Sequence, residues 1–203
     1  MTSPVLPRED VAANRRQALI LAAFGRIATE GFEGLRTRDV AADVGVNIAT
    51  LHYYFPTKEA LIRGVVGHAM RRFRDTLPDD GTPAEQLRAH LVALRRLILE
   101  DHQLFAVLGE LALRSARDPA IAAIMQAIED AWPATLRDLI RRGVEQGCLD
   151  ADLDSEGVAA LLVAAIKGIS VPSVAPSRAQ RVDRTFRQIE RWLGLAPTDR
   201  INK

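Results

Sequence analysis

Residues 35–62 of this chain read LRTRDVAADVGVNIATLHYYFPTKEALI, and they contain two short helical patterns separated by a glycine. Thr37 offers a candidate N-cap hydroxyl for the first helix, whose apolar face ends at Val44. Gly45 permits the positive φ of a tight turn, and Asn47 is a strong N-cap for the second helix. Two short helices joined by a turn that contains glycine predict a helix-turn-helix motif.

The second of these helices has the side chains that a reader of the DNA major groove needs. Leu51 and Phe55 are spaced to anchor it inward, so its leading end can face bases and its aromatic groups can face outward. The polar tips of those aromatic groups can donate to phosphate oxygens. Lys58, in the first turn of the next helix, can add a charge-assisted contact to the same backbone. From the residues alone, the base-facing set is Asn47, Ala49 and Thr50, and the phosphate-facing set is His52, Tyr53 and Tyr54.

The start of the first helix predicts the other side of a phosphate clamp. Thr37 contributes a hydroxyl and Arg38 a guanidinium, beside the backbone amides of a helix N-terminus. A simpler alternative is an ordinary helical hairpin with aromatic side chains on its surface. Each of residues 47–50 could instead cap a helix or face solvent, and Tyr53 could be partly buried.

The composition of the 203-residue chain is globular, with 48% hydrophobic and 26% charged residues. Apolar residues recur at helical spacing without sustained period-two alternation, so we expect an all-α fold of about nine helices. The longest apolar run, residues 158–166, is too short to cross a bilayer, and the first ten residues contain no apolar signal segment, so we expect a cytoplasmic protein. The single cysteine, Cys148, excludes a CxxC motif, and we expect no metal site and no cofactor.

Charge and turn-forming residues divide the chain. Residues 1–74 hold 11 Lys or Arg against 7 Asp or Glu, and the remainder holds 16 against 19. A mildly basic front suits a polyanionic partner, although a solvated charge pattern explains the bias equally well. The turn formers PDDGTP at residues 78–83 are the best candidate boundary. We therefore predict three segments, at residues 1–57, 58–81 and 82–203.

Capping residues predict several helix ends. Thr82 with Glu85 is typical of a capping box, Asp154 of an N-cap, and Ser177 with Gln180 of a second capping box. Gly31 and Gly194 are each expected to end a helix, and Gly31 is expected to do so in a left-handed conformation.

Residues 35–62 resemble the DNA-binding signature of the TetR family of transcriptional repressors. The shared features are a Thr-Arg opening, an Ala-x-x-x-Gly-Val turn, a Leu-aromatic-aromatic-x-Phe end and a Lys-Glu-x-Leu restart, and with the first helix the resemblance covers roughly residues 12–75. The resemblance implies that Thr37 and Arg38 contact the DNA backbone or bases. It further implies that bases are faced by Asn47, Ile48, Ala49 and Thr50, and phosphates by His52, Tyr53, Tyr54 and Lys58.

The resemblance also implies that residues 82–203 form a helical ligand-binding and dimerisation domain. Side chains that could line its pocket are Phe105, Leu108, Met125 and Trp132, although apolar residues at helical spacing are more often plain core. Two apolar stripes could pair about a twofold axis as a four-helix bundle, and each is equally needed to bury a monomer's core. The stripe residues assigned to this interface are Leu161, Leu162, Ala165, Ile169, Phe186, Ile189 and Leu193.

These patterns predict a transcriptional regulator, namely a ligand-responsive repressor that binds a near-palindromic DNA operator as a homodimer. Its other partner is an unidentified small-molecule effector, and no membrane partner is expected. An enzyme that uses His52 with Tyr53 or Asp39 fails on placement, because adjacent residues on a short exposed helix have no water-excluding pocket. The remaining alternative is a small-molecule binding or DNA-architectural protein without regulated release of DNA.

Overall fold

The computed structural model describes residues 8–171 and 177–195, and this part of the chain contains nine α-helices and no β-strand. The predicted all-α fold with about nine helices is therefore confirmed. The helices are α1 (Arg8–Glu30), α2 (Thr37–Asp43), α3 (Ile48–Tyr54), α4 (Lys58–Arg74), α5 (Pro83–Glu100), α6 (His102–Ser115), α7 (Pro119–Glu145), α8 (Ser155–Ser170) and α9 (Arg178–Trp192), and a 3₁₀ turn spans Phe32–Gly34.

The chain divides into two compact units. The first comprises Met1–Ala69 and Ala106–Met125, and the second comprises Met70–Phe105 and Gln126–Lys203. In the first unit, α1 packs against the 3₁₀ turn and α2, and α2 packs against α3; in the second, α5 and α8 each pack against α9. The three segments predicted from the sequence stay a prediction.

The core of the first unit includes the apolar stripe of α1, as its helical spacing predicts. Its buried members are Leu19, Ile20, Ala23, Phe24 and Ile27. Gly31 follows the helix with φ 72° and ψ −176°, a region that is essentially restricted to glycine. The predicted left-handed conformation is therefore wrong in ψ, although the position still requires glycine. Arg26 joins α1 to the end of α2, since its Nη2 donates to Asp43 Oδ1 at 2.9 Å.

Helix N-termini in the second unit follow the capping predictions at Thr82, which forms the expected box, and at Asp154. Two other capping predictions fail: Thr37 is not the N-cap of α2, and Ser177 is an N-cap but does not form the predicted box. Helix α2 already begins at Thr37, so the N-cap is Arg36, whose side chain makes no capping hydrogen bond. Ser177 is the N-cap of α9 but has φ −81° and ψ 4° and makes no capping hydrogen bond. A capping side chain needs a more extended backbone, so the predicted box does not form.

The second unit buries most of the stripe residues of α8 and α9 in its own core. The buried ones are Leu162, Phe186, Ile189 and Leu193. These four side chains pack inside one chain, and their assignment to a dimer interface stays a prediction. By contrast, Leu161 is 59% exposed, and Ala165 and Ile169 are half-buried. The prediction that these three residues lie in a dimer interface remains.

Candidate nucleic-acid interface

Helix α3 is fixed by its cap, its preceding turn and its inner face. Gly45 has φ 70° and makes the turn. Asn47 Oδ1 accepts the backbone N–H of Thr50 at 2.7 Å and its hydroxyl at 2.9 Å, so the predicted N-cap is confirmed. The two predicted anchors, Leu51 and Phe55, are 0% and 1% exposed. A helix held in this way presents its opposite face to a partner.

The outer face of α3 carries the side chains that the sequence assigns to bases and phosphates. Of these, Asn47, Ala49 and His52 are exposed, and Ile48, Thr50 and Tyr54 are half-buried. Tyr53 is 80% exposed, so the alternative of a partly buried ring is wrong. The Tyr53 ring meets that of Tyr54 edge to face, with 5.1 Å between ring centres. Both phenol rings therefore lie at the end of the face that begins with Asn47.

An open groove of about 700 Å³ lies beside α3, between the start of α2 and the start of α4. Among its lining residues are four that the sequence assigns to DNA: Thr37, Arg38, His52 and Lys58. The two sides of the predicted clamp are thus brought together within the first unit. Sequence reasoning missed Arg36 and Thr57, which are exposed and line the same groove. The position of Arg36 directly before the Thr-Arg pair was the available signal. Guanidinium, ammonium, imidazole and hydroxyl groups all bind phosphate oxygens.

The Lys58 ammonium contacts an aromatic ring in the free protein. Its Nζ lies 4.5 Å from the centre of the Phe32 ring, and the side chain is half-buried. Burial lowers the pKa of Lys58, and the nearby carboxylate of Glu33 opposes part of that shift. The guanidinium of Arg114 lies 4.8 Å from the centre of the same ring. The phosphate contact of Lys58 stays a prediction.

Two of the predicted pocket residues lie beside Phe73 in the second unit. The rings of Phe105 and Trp132 lie 6.0 and 6.1 Å from the ring of Phe73, measured between centres. The other two, Leu108 and Met125, belong to the first unit, where Leu108 is half-buried and Met125 is buried. The pocket assignment of all four residues stays a prediction.

A chain of polar contacts runs from the half-buried Trp132 through the buried His90 to the buried Thr76. Trp132 Nε1 donates to His90 Nε2 at 3.1 Å, which leaves the proton of the neutral ring on Nδ1. His90 Nδ1 lies 2.8 Å from the Thr76 hydroxyl, which in turn donates to the carbonyl of Phe73. Burial lowers the pKa of His90 to about 4, and the hydrogen bond to Thr76 offsets only part of that effect. His90 is therefore a buried core residue with a partner at each ring nitrogen.

Within the described residues, no group of three or more His, Cys, Asp and Glu side chains is arranged to hold a metal ion. Across residues 8–171 and 177–195, no helix has both the length and the apolar character that a bilayer span requires.

Comparison with known proteins identifies relatives of both parts of the chain. Residues 19–65 match bacterial regulatory proteins of the tetR family, and residues 83–195 match the C-terminal region of BetI-type transcriptional repressors. The HTH-type transcriptional repressor KstR2 of Mycobacterium tuberculosis is 26% identical over 145 residues, which cover 70% of this chain and 72% of that protein.

Solved structures of similar fold extend over nearly the whole chain. A TetR transcription regulator from Haloarcula marismortui has a TM-score of 0.78 at 21% identity, over 90% of this chain and 97% of that one. A transcriptional regulator from Saccharomonospora viridis, solved in complex with choline, has a TM-score of 0.70 at 25% identity, over 90% and 96% of the two chains. The first likeness shows the fold alone. Because the BetI-type match by itself spans more than half of the chain and the tetR match covers the helix-turn-helix, the protein belongs to the TetR family of DNA-binding transcriptional regulators.

Proposed function

We propose that this regulator is a ligand-responsive repressor that binds a near-palindromic operator as a homodimer. Helix α3 of each protomer enters the major groove with residues 47–50 toward base edges, and the open groove beside it takes the DNA backbone. Two such helices reach successive major grooves when the half-sites lie about 34–36 Å apart. The observation that carries the proposal is one surface that combines the exposed face of α3 with Arg36, Arg38 and Lys58.

The outer face of α8 is the proposed dimer surface. Leu161 is 59% exposed, and Val171, just after the helix, is 63% exposed. Beside them, Ala160, Ala164 and Gly168 are exposed and small, so a second helix can approach closely. Exposed apolar residues in a strip are typical of protein–protein contacts.

The proposed effector is a small molecule that binds within residues 82–203 and has a higher affinity for one of two conformations of the protein. Such a ligand changes DNA affinity only by its difference in affinity for those forms. Choline is the first compound to test, because a structurally similar regulator was solved with it. The aromatic rings of Phe73, Phe105 and Trp132 are the kind of surface that attracts quaternary ammonium cations.

Fluorescence anisotropy with a labelled operator duplex tests the proposal across a salt titration. Arg38→Met and Lys58→Met should each weaken binding to all sequences. Each should also reduce the magnitude of the negative slope of log K against log salt by about 1. Arg96→Met is the matched control, since Arg96 is exposed on α5 in the second unit and should leave the slope unchanged. Slopes unchanged in both groove variants contradict DNA binding through this surface. Affinity that no added metabolite shifts favours an architectural protein instead.

A further inference from the structure

Two cationic side chains share the ring of Phe32. Lys58 Nζ and the guanidinium carbon of Arg114 lie 4.5 and 4.8 Å from the ring centre. The ring itself is fixed, because Phe32 is 7% exposed and its backbone N–H donates to Glu110 Oε2 at 3.1 Å. A ring attracts a cation through the negative potential of its face, so the two cations compete for the same attraction.

Arg114 also pairs with the carboxylate of Glu33, which attracts Lys58. Its Nη1 lies 3.2 Å from Glu33 Oε1, and its Nε lies 3.4 Å from Asp118 Oδ2. Glu33 acts on Lys58 as an attracting charge, and Arg114 acts as a repelling one. Arg114 therefore weakens both attractions that keep the Lys58 ammonium beside the ring.

Lys58 also lines the open groove, together with Arg36, Thr37 and Arg38. A DNA phosphate in that groove and the Phe32 ring with Glu33 are rival partners for one flexible ammonium. We propose that Arg114 is a positioning residue for DNA binding: by sharing the Phe32 ring and pairing with Glu33, it weakens their hold on the Lys58 ammonium, which can then turn to a DNA phosphate. The inference rests on the proposed function, and it adds a determinant 56 positions beyond Lys58 in the chain.

The test is a set of double-mutant cycles on a labelled operator obtained by selection from a random DNA pool. Arg114→Met strengthens the attraction of the Lys58 ammonium to the Phe32 ring and the Glu33 carboxylate. Operator affinity should therefore fall about threefold to fivefold, and the magnitude of the slope of log K against log salt should decrease by about 1. Glu33→Gln removes the attracting carboxylate, so affinity should rise. Both side chains are substantially exposed, at 41% and 85%, so neither change removes core packing.

The decisive comparison repeats both changes in a Lys58→Met background. A long-range charge effect on DNA would persist there, whereas a positioning effect must vanish. Arg117→Met, an exposed neighbour of the same charge, reports the long-range effect alone. Additive changes in the cycle, or equal effects of Arg114→Met and Arg117→Met, overturn the inference while the proposed function stands. Lys58→Met with wild-type affinity and slope also overturns it, and a wild type that shows no salt-dependent DNA binding overturns both.

Discussion

Burial favours the neutral form of His90, and this sets a pH dependence of stability. Its folded pKa of about 4 lies below the ordinary value of 6.5, so the unfolded chain takes up the proton first as pH falls. The stability that neutral His90 contributes is therefore fully present above about pH 6.5 and is lost as the pH falls toward 4. A shift of this size corresponds to about 3 kcal/mol.

The free energy of unfolding in urea, monitored by circular dichroism at pH 7 and at pH 4.5, measures this contribution. His90→Gln removes the titrating ring, so the variant should lose less unfolding free energy between the two pH values than the wild type. His102→Gln is the matched control, because His102 is exposed at the start of α6. Equal losses in the wild type and in His90→Gln would show that His90 is not the group responsible.

Asn47 has two roles, since it caps α3 and lies at the leading end of the proposed base-reading face. Asn47→Ala would mix a lost cap, worth about 1 kcal/mol, with any change in base contacts. Asn47→Ser keeps a capping oxygen and removes the amide. We expect Asn47→Ser to bind DNA with a changed base preference at one position of each half-site, measured by selection from a random pool. An unchanged profile would assign base reading to other residues.

At the scale of the helical elements, packing around Gly64 determines how Gly64→Ala changes the free energy of unfolding. A Cβ there would lie 3.0 Å from Ile20 Cγ1 and 3.2 Å from Phe55 Cε1, so Gly64 lets α4 approach its neighbours closely. Alanine gains about 1 kcal/mol of helix propensity, but overpacking costs about 1–3 kcal/mol. We expect Gly64→Ala to lower the free energy of unfolding. Gly109→Ala on α6 meets nothing within 4 Å and should raise it. Stabilisation of the protein by both changes in urea denaturation would contradict this packing.

The parts of α3 that depend on local sequence were predictable. Asn47 caps this short helix, Leu51 lies on it and Phe55 directly follows it; residue type assigned the cap, and spacing assigned the two anchors. The capping hydrogen bonds expected from Thr37 and Ser177 do not form, because they depend on the helix boundary and on backbone angles, which residue type does not determine.

Contacts between distant segments were not predictable. The shared ring of Phe32 joins Lys58 to Arg114, and no local pattern relates residues so far apart. Helix α8 shows a different limit, because it is apolar on most of its surface and periodicity cannot select its inner face. The structure turns Leu162 inward and Leu161 outward.

At the scale of the whole molecule, an operator with two half-sites requires two protomers. Leu161→Asp puts a charge on the proposed dimer face, and an unpaired charge in an apolar interface is costly, so we expect a shift toward monomer and loss of operator binding. Leu113→Asp is the matched control, because Leu113 is 75% exposed on α6. Light scattering coupled to size-exclusion chromatography measures the mass of each variant. A dimer in both variants would move the interface away from Leu161.

The most direct test of DNA recognition by α3 and the open groove is selection of bound duplexes from a random pool by the wild-type protein. The account predicts enrichment of a near-palindrome whose half-sites lie about 34–36 Å apart, centre to centre. An enriched pool without any common sequence, or with a single unrepeated half-site, would contradict it.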